Sequence, residues 1–226
     1  MKLSLPESLK KLSTACSEAG GKLFIVGGYI RNTLLNLPAK DIDICSAFST
    51  EEIINIAQSL GWKHKVISKK LGTVKLMANS ESYEHTTFRK DNYPSDGTHT
   101  PQSVEFINSI ECDALRRDFT INALYYDLQE HKLLDFFGGL KDIKRKQLKT
   151  INEHVFESDG LRILRLVRFA VTQNLAIDKS TLKSAKKHSY LLQDISLERI
   201  KNELQRTLEY NCPPHKLKEF FNLLNI

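Results

Sequence analysis

A double glycine, Gly27-Gly28, separates the apolar run 23–26 from the helix-forming run 29–35, and Asp41-Ile42-Asp43-Ile44 follows at short range. No other stretch constrains the fold as strongly. Residues 23–26 read as a buried strand, and the glycines let the backbone turn tightly and approach a ligand closely. A glycine turn feeding a helix offers unpaired N–H groups and the positive end of a dipole to an anion. Arg31, in the first turn, adds a charge-assisted contact. Asp41 and Asp43 follow the strand period of two, so both carboxylates leave one face while Ile42 and Ile44 enter the core. Two carboxylates fixed on one strand suit Mg²⁺, which takes few protein oxygens and completes its octahedron with water and phosphate. Alone, the first feature is a common turn and the second a common solvated strand end. Their order and spacing together carry the argument.

Three further motifs follow in the chain. They are Arg116-Arg117-Asp118 leading to Asn122, the run Asp135-Phe136-Phe137-Gly138-Gly139 with Asp142, and Asp159 with Arg162 and Arg165. With Gly27, Gly28, Arg31, Asp41 and Asp43, this ordered set resembles the nucleotidyltransferase superfamily of DNA polymerase β type. More closely, it resembles the bacterial class II tRNA nucleotidyltransferases (CCA-adding enzymes) and their poly(A) polymerase relatives. The resemblance runs from about residue 22 to the C-terminus. This chain departs from the family pattern at Asn32, where Asp is usual, at Ser158-Asp159-Gly160 in place of Glu-Asp-Pro, and at Asp96-Gly97-Thr98 in place of Asp-Gly-Arg.

The resemblance implies a polymerase-β-like α/β (α+β) head with a mixed sheet over residues 1–150, followed by an all-helical neck over 151–226. It implies template-independent addition of C and A to a tRNA 3′ end from CTP and ATP, with release of pyrophosphate. Asp41 and Asp43 would hold the catalytic metals. Glu84, in the alternating run 83–87, is the candidate third carboxylate, with an exposed strand acid as its alternative. Gly27, Gly28 and Arg31 would hold the triphosphate. Arg116, Arg117, Asp118 and Asn122 would handle ribose and phosphate. Asp159 and Arg162, with Arg165, would select the base. The loop 91–102 lies where relatives carry a flexible segment needed for switching to ATP.

With 226 residues, the chain is long enough for one large domain or two small ones, and for a real core. Its formal charge of +6 favours an anionic partner. Cys16, Cys45, Cys112 and Cys212 form no Cys-x-x-Cys pair, so reduced thiols are expected rather than a disulfide framework or a zinc site. No apolar run is long enough to span a bilayer, and the N-terminus has no signal-peptide pattern, so a cytoplasmic protein is expected.

Periodicity places an amphipathic helix over residues 1–20 and a capped helix from Ser49 to about Leu60. Strands are expected at 63–67, 72–78 and 83–89, then a loop at 91–102 and a helix from Asp113 to about Tyr126. A hairpin near 129–135 completes the head. Beyond Thr150 helical periods dominate. One helix starting near Asp159 puts Ile163, Leu166, Val167 and Ala170 in a stripe. Asp159 falls within that stripe and Arg162 at its edge, so the two are expected to pair, while Arg168 reads as a solvated charge. Three alternatives stand beside the main reading. One is a poly(A) polymerase or a partial CC- or A-adding enzyme. Another is a non-catalytic RNA- or nucleotide-binding module, against which two intact metal carboxylates argue. The last is a transferase acting on proteins or small molecules.

Overall fold

The computed structural model describes residues 3–39, 41–93, 101–210 and 214–224. The chain divides into two compact units. The first is Met1–Lys90 with Val104–Arg116 and Asn122–Phe137; the second is Asp91–Ser103 with Arg117–Ile121 and Gly138–Ile226.

In the first unit, α1 (Glu7–Glu18), β1 (Phe24–Val26), α2 (Gly28–Leu34), β2 (Asp43–Ser46) and α3 (Thr50–Ser59) lead into β3 (Lys63–Ser68), β4 (Thr73–Ala78) and β5 (Glu81–Thr87). Next in the chain come β6 (Arg89–Asn92) and β7 (Ser103–Phe106), whose residues are divided between the two units and which pair in a small sheet of their own. Then α4 (Ile110–Leu115) precedes β8 (Leu124–Asp127) and β9 (Lys132–Asp135). The main sheet has the order β3-β4-β5-β2-β1-β8-β9. It is mixed, because β2 and β5 run parallel while the other neighbours are antiparallel.

One face of this sheet is covered by helices. Leu9, Leu12 and Cys16 of α1 and Ile53 and Ala57 of α3 are buried, and α3 packs on both α1 and β4. The start of α3 is fixed by a capping box. Ser49 accepts from the Glu52 amide at 3.2 Å, and Glu52 accepts from the Ser49 amide at 2.7 Å, which pairs two helix-end donors. The opposite face carries the exposed members of the strand alternation, among them Asp43, Glu84, Lys75 and Lys65.

In the second unit, α5 (Gly139–Lys144) is followed by β10 (Gln147–Leu148), α6 (Val155–Ser158), α7 (Leu161–Thr172), β11 (Ala176–Ile177), α8 (Lys179–Lys187), α9 (Leu197–Leu208) and α10 (Pro214–Leu224). The core of α7 is the stripe read from sequence, Ile163, Leu166, Val167 and Ala170, all buried. α7 packs chiefly on α9.

Four expectations are corrected here. Residues 113–126 are not one helix: α4 stops at Leu115, and residues 124–127 enter the sheet as β8. The backbone of 118–120 pairs with 149–151 instead of coiling, through Thr120 N to Lys149 O at 3.0 Å and Ile151 N to Asp118 O at 3.2 Å. The Asp118 side chain also accepts from the Phe119 amide at 2.8 Å, a local bond that competes with helix. Tyr125 and Tyr126 then suit a buried strand. Strands do not cease after Thr150 either, since β11 pairs in parallel with β10. At the flanks of the expected loop 91–102, residues 91–92 and 103–106 are strands; residues 94–100, with Asp96-Gly97-Thr98, lie outside the described residues.

Arg168 is the fourth correction. Its side chain is 11% exposed and donates from Nε to Glu203 at 2.5 Å, with its guanidinium 4.2 Å from the Phe169 ring centre. The helix wheel placed it opposite the stripe, but α9 covers that side too. Cys16 and Cys45 are buried and Cys112 exposed, and none of these three forms a disulfide among the described residues, while Cys212 lies outside them. Among the described residues no helix is long and apolar enough to cross a membrane.

Candidate active site

In the first unit, β1 ends at Val26 and the chain turns through Gly27, whose φ of 75° and ψ of −126° lie where a side chain is strongly disfavoured. Gly28 opens α2. A Cβ built on it would lie 3.6 Å from Arg31 Nη2, an ordinary contact, so the conformational demand falls on Gly27. Arg31 is only 7% exposed. It donates from Nη1 to Asn122 Oδ1 at 2.5 Å, and from Nε and Nη2 to Asn32 Oδ1 at 3.1 and 2.9 Å. Asn122 is itself buried, and it comes from the short 3-10 turn that precedes β8. Two amide oxygens thus hold a buried guanidinium beside the glycine bend.

β2 lies antiparallel to β1, with Val26 opposite Asp43, so the bend and the acidic run sit at the same end of neighbouring strands. Asp41 and Asp43 are exposed, and Ile42 and Ile44 are 8% and 1% exposed. β5 lies on the other side of β2 with Glu84 opposite Asp43, and Glu84 is also exposed. Cross-strand partners share a face, so Glu84 and Asp43 project together. Every donor in this set is a carboxylate oxygen, which matches a hard cation such as Mg²⁺. Among the described residues no three His, Cys, Asp or Glu side chains form a ready-made metal cage. A magnesium site that draws most of its ligands from water and phosphate does not require one.

Arg116 caps the end of α4 and is turned back onto Asp113, three residues earlier, at 2.9 Å. Asp113 is fully buried and also accepts from Tyr125 Oη at 2.6 Å and from the Arg89 amide at 3.1 Å. A buried carboxylate needs such a set of donors.

In the second unit, Arg117 is half-buried and Asp118 is 5% exposed. Asp118 Oδ2 accepts from Arg165 Nη2 at 2.7 Å and Nε at 2.8 Å. Burial by itself would lower the pKa of Arg165. The Asp118 charge and hydrogen bond, helped by Glu203 and Asp159, outweigh it and hold the guanidinium above its ordinary value. Asp142, from the 135–142 run, is buried and accepts from Thr120 Oγ1 at 2.7 Å.

Asp159 is not within a helix. It sits in extended conformation, φ −157° and ψ 107°, at the break between α6 and α7. Gly160 then opens α7. One Asp159 oxygen accepts from the Leu161 amide at 3.1 Å, and the other from Arg199 Nη2 at 2.9 Å. Arg162 donates to the Val155 carbonyl at 3.3 Å across the same break. Arg199, from α9, was missed from sequence: its partner is forty residues away, and nothing in the local pattern of α9 marks it. Asn32 was noticed only as a departure, although its place directly after Arg31 was the available signal.

A mixed sheet that sets a tight glycine bend beside paired strand carboxylates defines a head of the polymerase-β nucleotidyltransferase class. The comparisons agree. The model described as "Poly A polymerase head domain" matches residues 23–149, and that described as "Probable RNA and SrmB- binding site of polymerase A" matches 174–223. The CCA-adding enzyme of Ligilactobacillus salivarius is 37% identical over 97% of this chain and 54% of its own length. That of Streptococcus uberis is 38% identical over 90% of this chain and 50% of its own. The crystal structure of the Bacillus stearothermophilus CCA-adding enzyme in complex with CTP superimposes with a TM-score of 0.82 at 31% identity, covering 96% of this chain and 50% of that one. The chain belongs to the poly(A) polymerase head-domain family, and it spans about half the length of the curated relatives it matches.

Proposed function

We propose that this chain catalyses template-independent nucleotide addition to an RNA 3′ end, completing the CCA end of tRNA from CTP and ATP. The observation that carries this reading is the shared face of Asp43 and Glu84, beside Asp41 and one strand from the Gly27–Gly28 bend. In the reaction, the RNA 3′-hydroxyl oxygen bonds to the α-phosphorus of the nucleotide. The bond from that phosphorus to the β-phosphate bridging oxygen breaks, pyrophosphate departs with the electron pair, and the hydroxyl proton is lost to a carboxylate or water. Asp41 and Asp43, with Glu84 beside them, would hold Mg²⁺, which when bound supplies charge stabilisation to an in-line displacement. Gly27 and Gly28 would let the backbone approach the triphosphate, and Arg31, fixed by Asn32 and Asn122, would meet its charge. The head, 1–150, would thus carry the chemistry.

The helical part, 151–226, would read the base. Asp159 offers carboxylate acceptors and Arg162 guanidinium donors, a pairing that can match the edges of C and A without a nucleic-acid template. Asp118, paired with Arg165, would bear on the ribose, with Arg116 and Arg117 directly before Asp118 in sequence. Relatives named as CCA-adding enzymes, and solved structures of such enzymes with CTP and with ATP, support the choice of substrate. A solved tRNA nucleotidyltransferase carrying a primer tRNA supports the choice of acceptor.

The test is extension of a tRNA that ends before CCA, with CTP and ATP supplied separately and together, and Asp41→Ala as control. Two C followed by one A, lost in the variant, is the expected product. A long A tail would assign poly(A) synthesis instead. RNA binding without incorporation on several tRNAs would assign a binding module.

A further inference from the structure

One register row crosses the main sheet through Lys65, Lys75, Glu84, Asp43 and Val26, on β3, β4, β5, β2 and β1. The glycine bend follows Val26, so it lies on one flank of the carboxylates. Lys75 and then Lys65 stand on the other flank. Lys65, Lys75, Glu84 and Asp43 are all exposed, and Lys63, two residues before Lys65 along β3, is exposed on the same face.

We infer that this lysine ladder is the track on which the RNA strand lies as it delivers its 3′-hydroxyl. The inference rests on the reaction proposed above and adds the direction of approach. In-line displacement puts the entering oxygen and the departing pyrophosphate on opposite sides of the α-phosphorus. The triphosphate tail belongs to the bend, on the β1 side. The hydroxyl therefore enters from the β4 side, and the phosphates behind it pass over Lys75 and Lys65.

The charge pattern supports this track. Lys65 and Lys75 are direct antiparallel partners, and like charges placed so destabilise a sheet unless something offsets them. Glu84 neighbours Lys75 on its other side, but that carboxylate also flanks Asp43 in the acidic group. A polyanion across both lysines relieves the repulsion. Lysines often blunt an edge strand against unwanted pairing, and this accounts for Lys63 and Lys65 on β3. It does not account for Lys75, because β4 is paired on both sides.

The experiment compares the whole chain with its Lys65→Gln/Lys75→Gln and Lys65→Arg/Lys75→Arg variants, using tRNA lacking CCA. RNA affinity is measured from about 50 to 200 mM salt, together with KM for RNA and for CTP. Removing two phosphate contacts should raise the RNA KM about tenfold and lower the salt slope by about 1 to 2. CTP affinity should stay within about twofold, and the Arg variant should restore RNA binding. A 4-thiouridine just inside the RNA 3′ end should cross-link to β3 or β4. Unchanged RNA affinity and slope in the Gln variant would overturn the track, as would a parallel loss of CTP affinity. If the intact chain incorporates no nucleotide yet keeps a lysine-dependent salt slope, the proposed reaction fails and the RNA track stands.

Discussion

Glu84 faces Asp43 across the parallel pair β5–β2, residues forty-one positions apart that share one exposed face. Parallel neighbours come from distant parts of a chain, because the connection must cross over before pairing. Here α3, β3 and β4 fill that crossover. The register thereby puts Glu84 beside Asp43, a neighbour that the alternating run 83–87 did not identify, and the proposed role of third carboxylate rests on that placement.

Glu84→Gln should lower nucleotide incorporation by about 10- to 100-fold and shift the Mg²⁺ concentration for half-maximal rate upward, whereas Asp43→Ala should cost about 10³-fold or more. Steady-state rates over a Mg²⁺ series check this. An unchanged Mg²⁺ profile in Glu84→Gln would reduce Glu84 to an exposed strand acid.

Arg199→Ala should blur nucleotide choice while the protein stays folded. Arg199 braces one oxygen of Asp159 at 2.9 Å, and the carboxylate proposed to read the base can turn to a wrong partner once that brace is gone. Misincorporation of UTP or GTP relative to CTP should rise several-fold, with the melting temperature little changed. Arg199→Lys should recover only part of the discrimination, because an ammonium lacks the planar fork of donors.

Glu203→Ala should be strongly destabilising. Its carboxylate is 3% exposed and pairs with Arg168, 11% exposed. Removing one partner of a buried ion pair leaves the other uncompensated, at a cost of about 3–5 kcal/mol. Urea unfolding measures this directly, and the double variant Glu203→Met/Arg168→Met should recover part of the loss.

His85 predicts a pH dependence of stability. It is fully buried on β5, with Nε2 2.7 Å from Ser46 Oγ, and burial pushes its pKa down from 6.5 to about 3. A group whose folded pKa is depressed contributes stability above its unfolded pKa and loses it as pH falls. The contribution is therefore complete above about pH 6.5 and declines towards pH 3, by up to about 1.4 kcal/mol per pH unit. The stability of the intact chain should fall more steeply through this window than that of His85→Leu, as followed by urea midpoints at successive pH values. Parallel curves for the two proteins would remove His85 as the cause.

Local rules reached α1, α3 and the α7 stripe because apolar spacing and caps act within a few residues. Ser49 and Glu52 spell out their own capping box, and Gly27 marks a backbone conformation that other residues resist. The same rules misread 113–126, since the backbone of 118–120 found partners at 149–151, and they misread Arg168, since α9 lay across a face that a single helix wheel leaves open.

By itself the sequence determined the glycine bend, the outward alternation of Asp41 and Asp43, and the helical periods beyond Thr150, all of which follow from backbone sterics and short-range periodicity. Tertiary structure alone decided that Glu84 flanks Asp43, that Asn122 and Asn32 hold Arg31, that Arg199 braces Asp159, and that Lys65 and Lys75 continue the carboxylate row. Except for the Arg31–Asn32 bond, these contacts join residues far apart in the chain, through strand register or helix packing. Spacing along a sequence does not encode such neighbours until the sheet order and the packed faces are set.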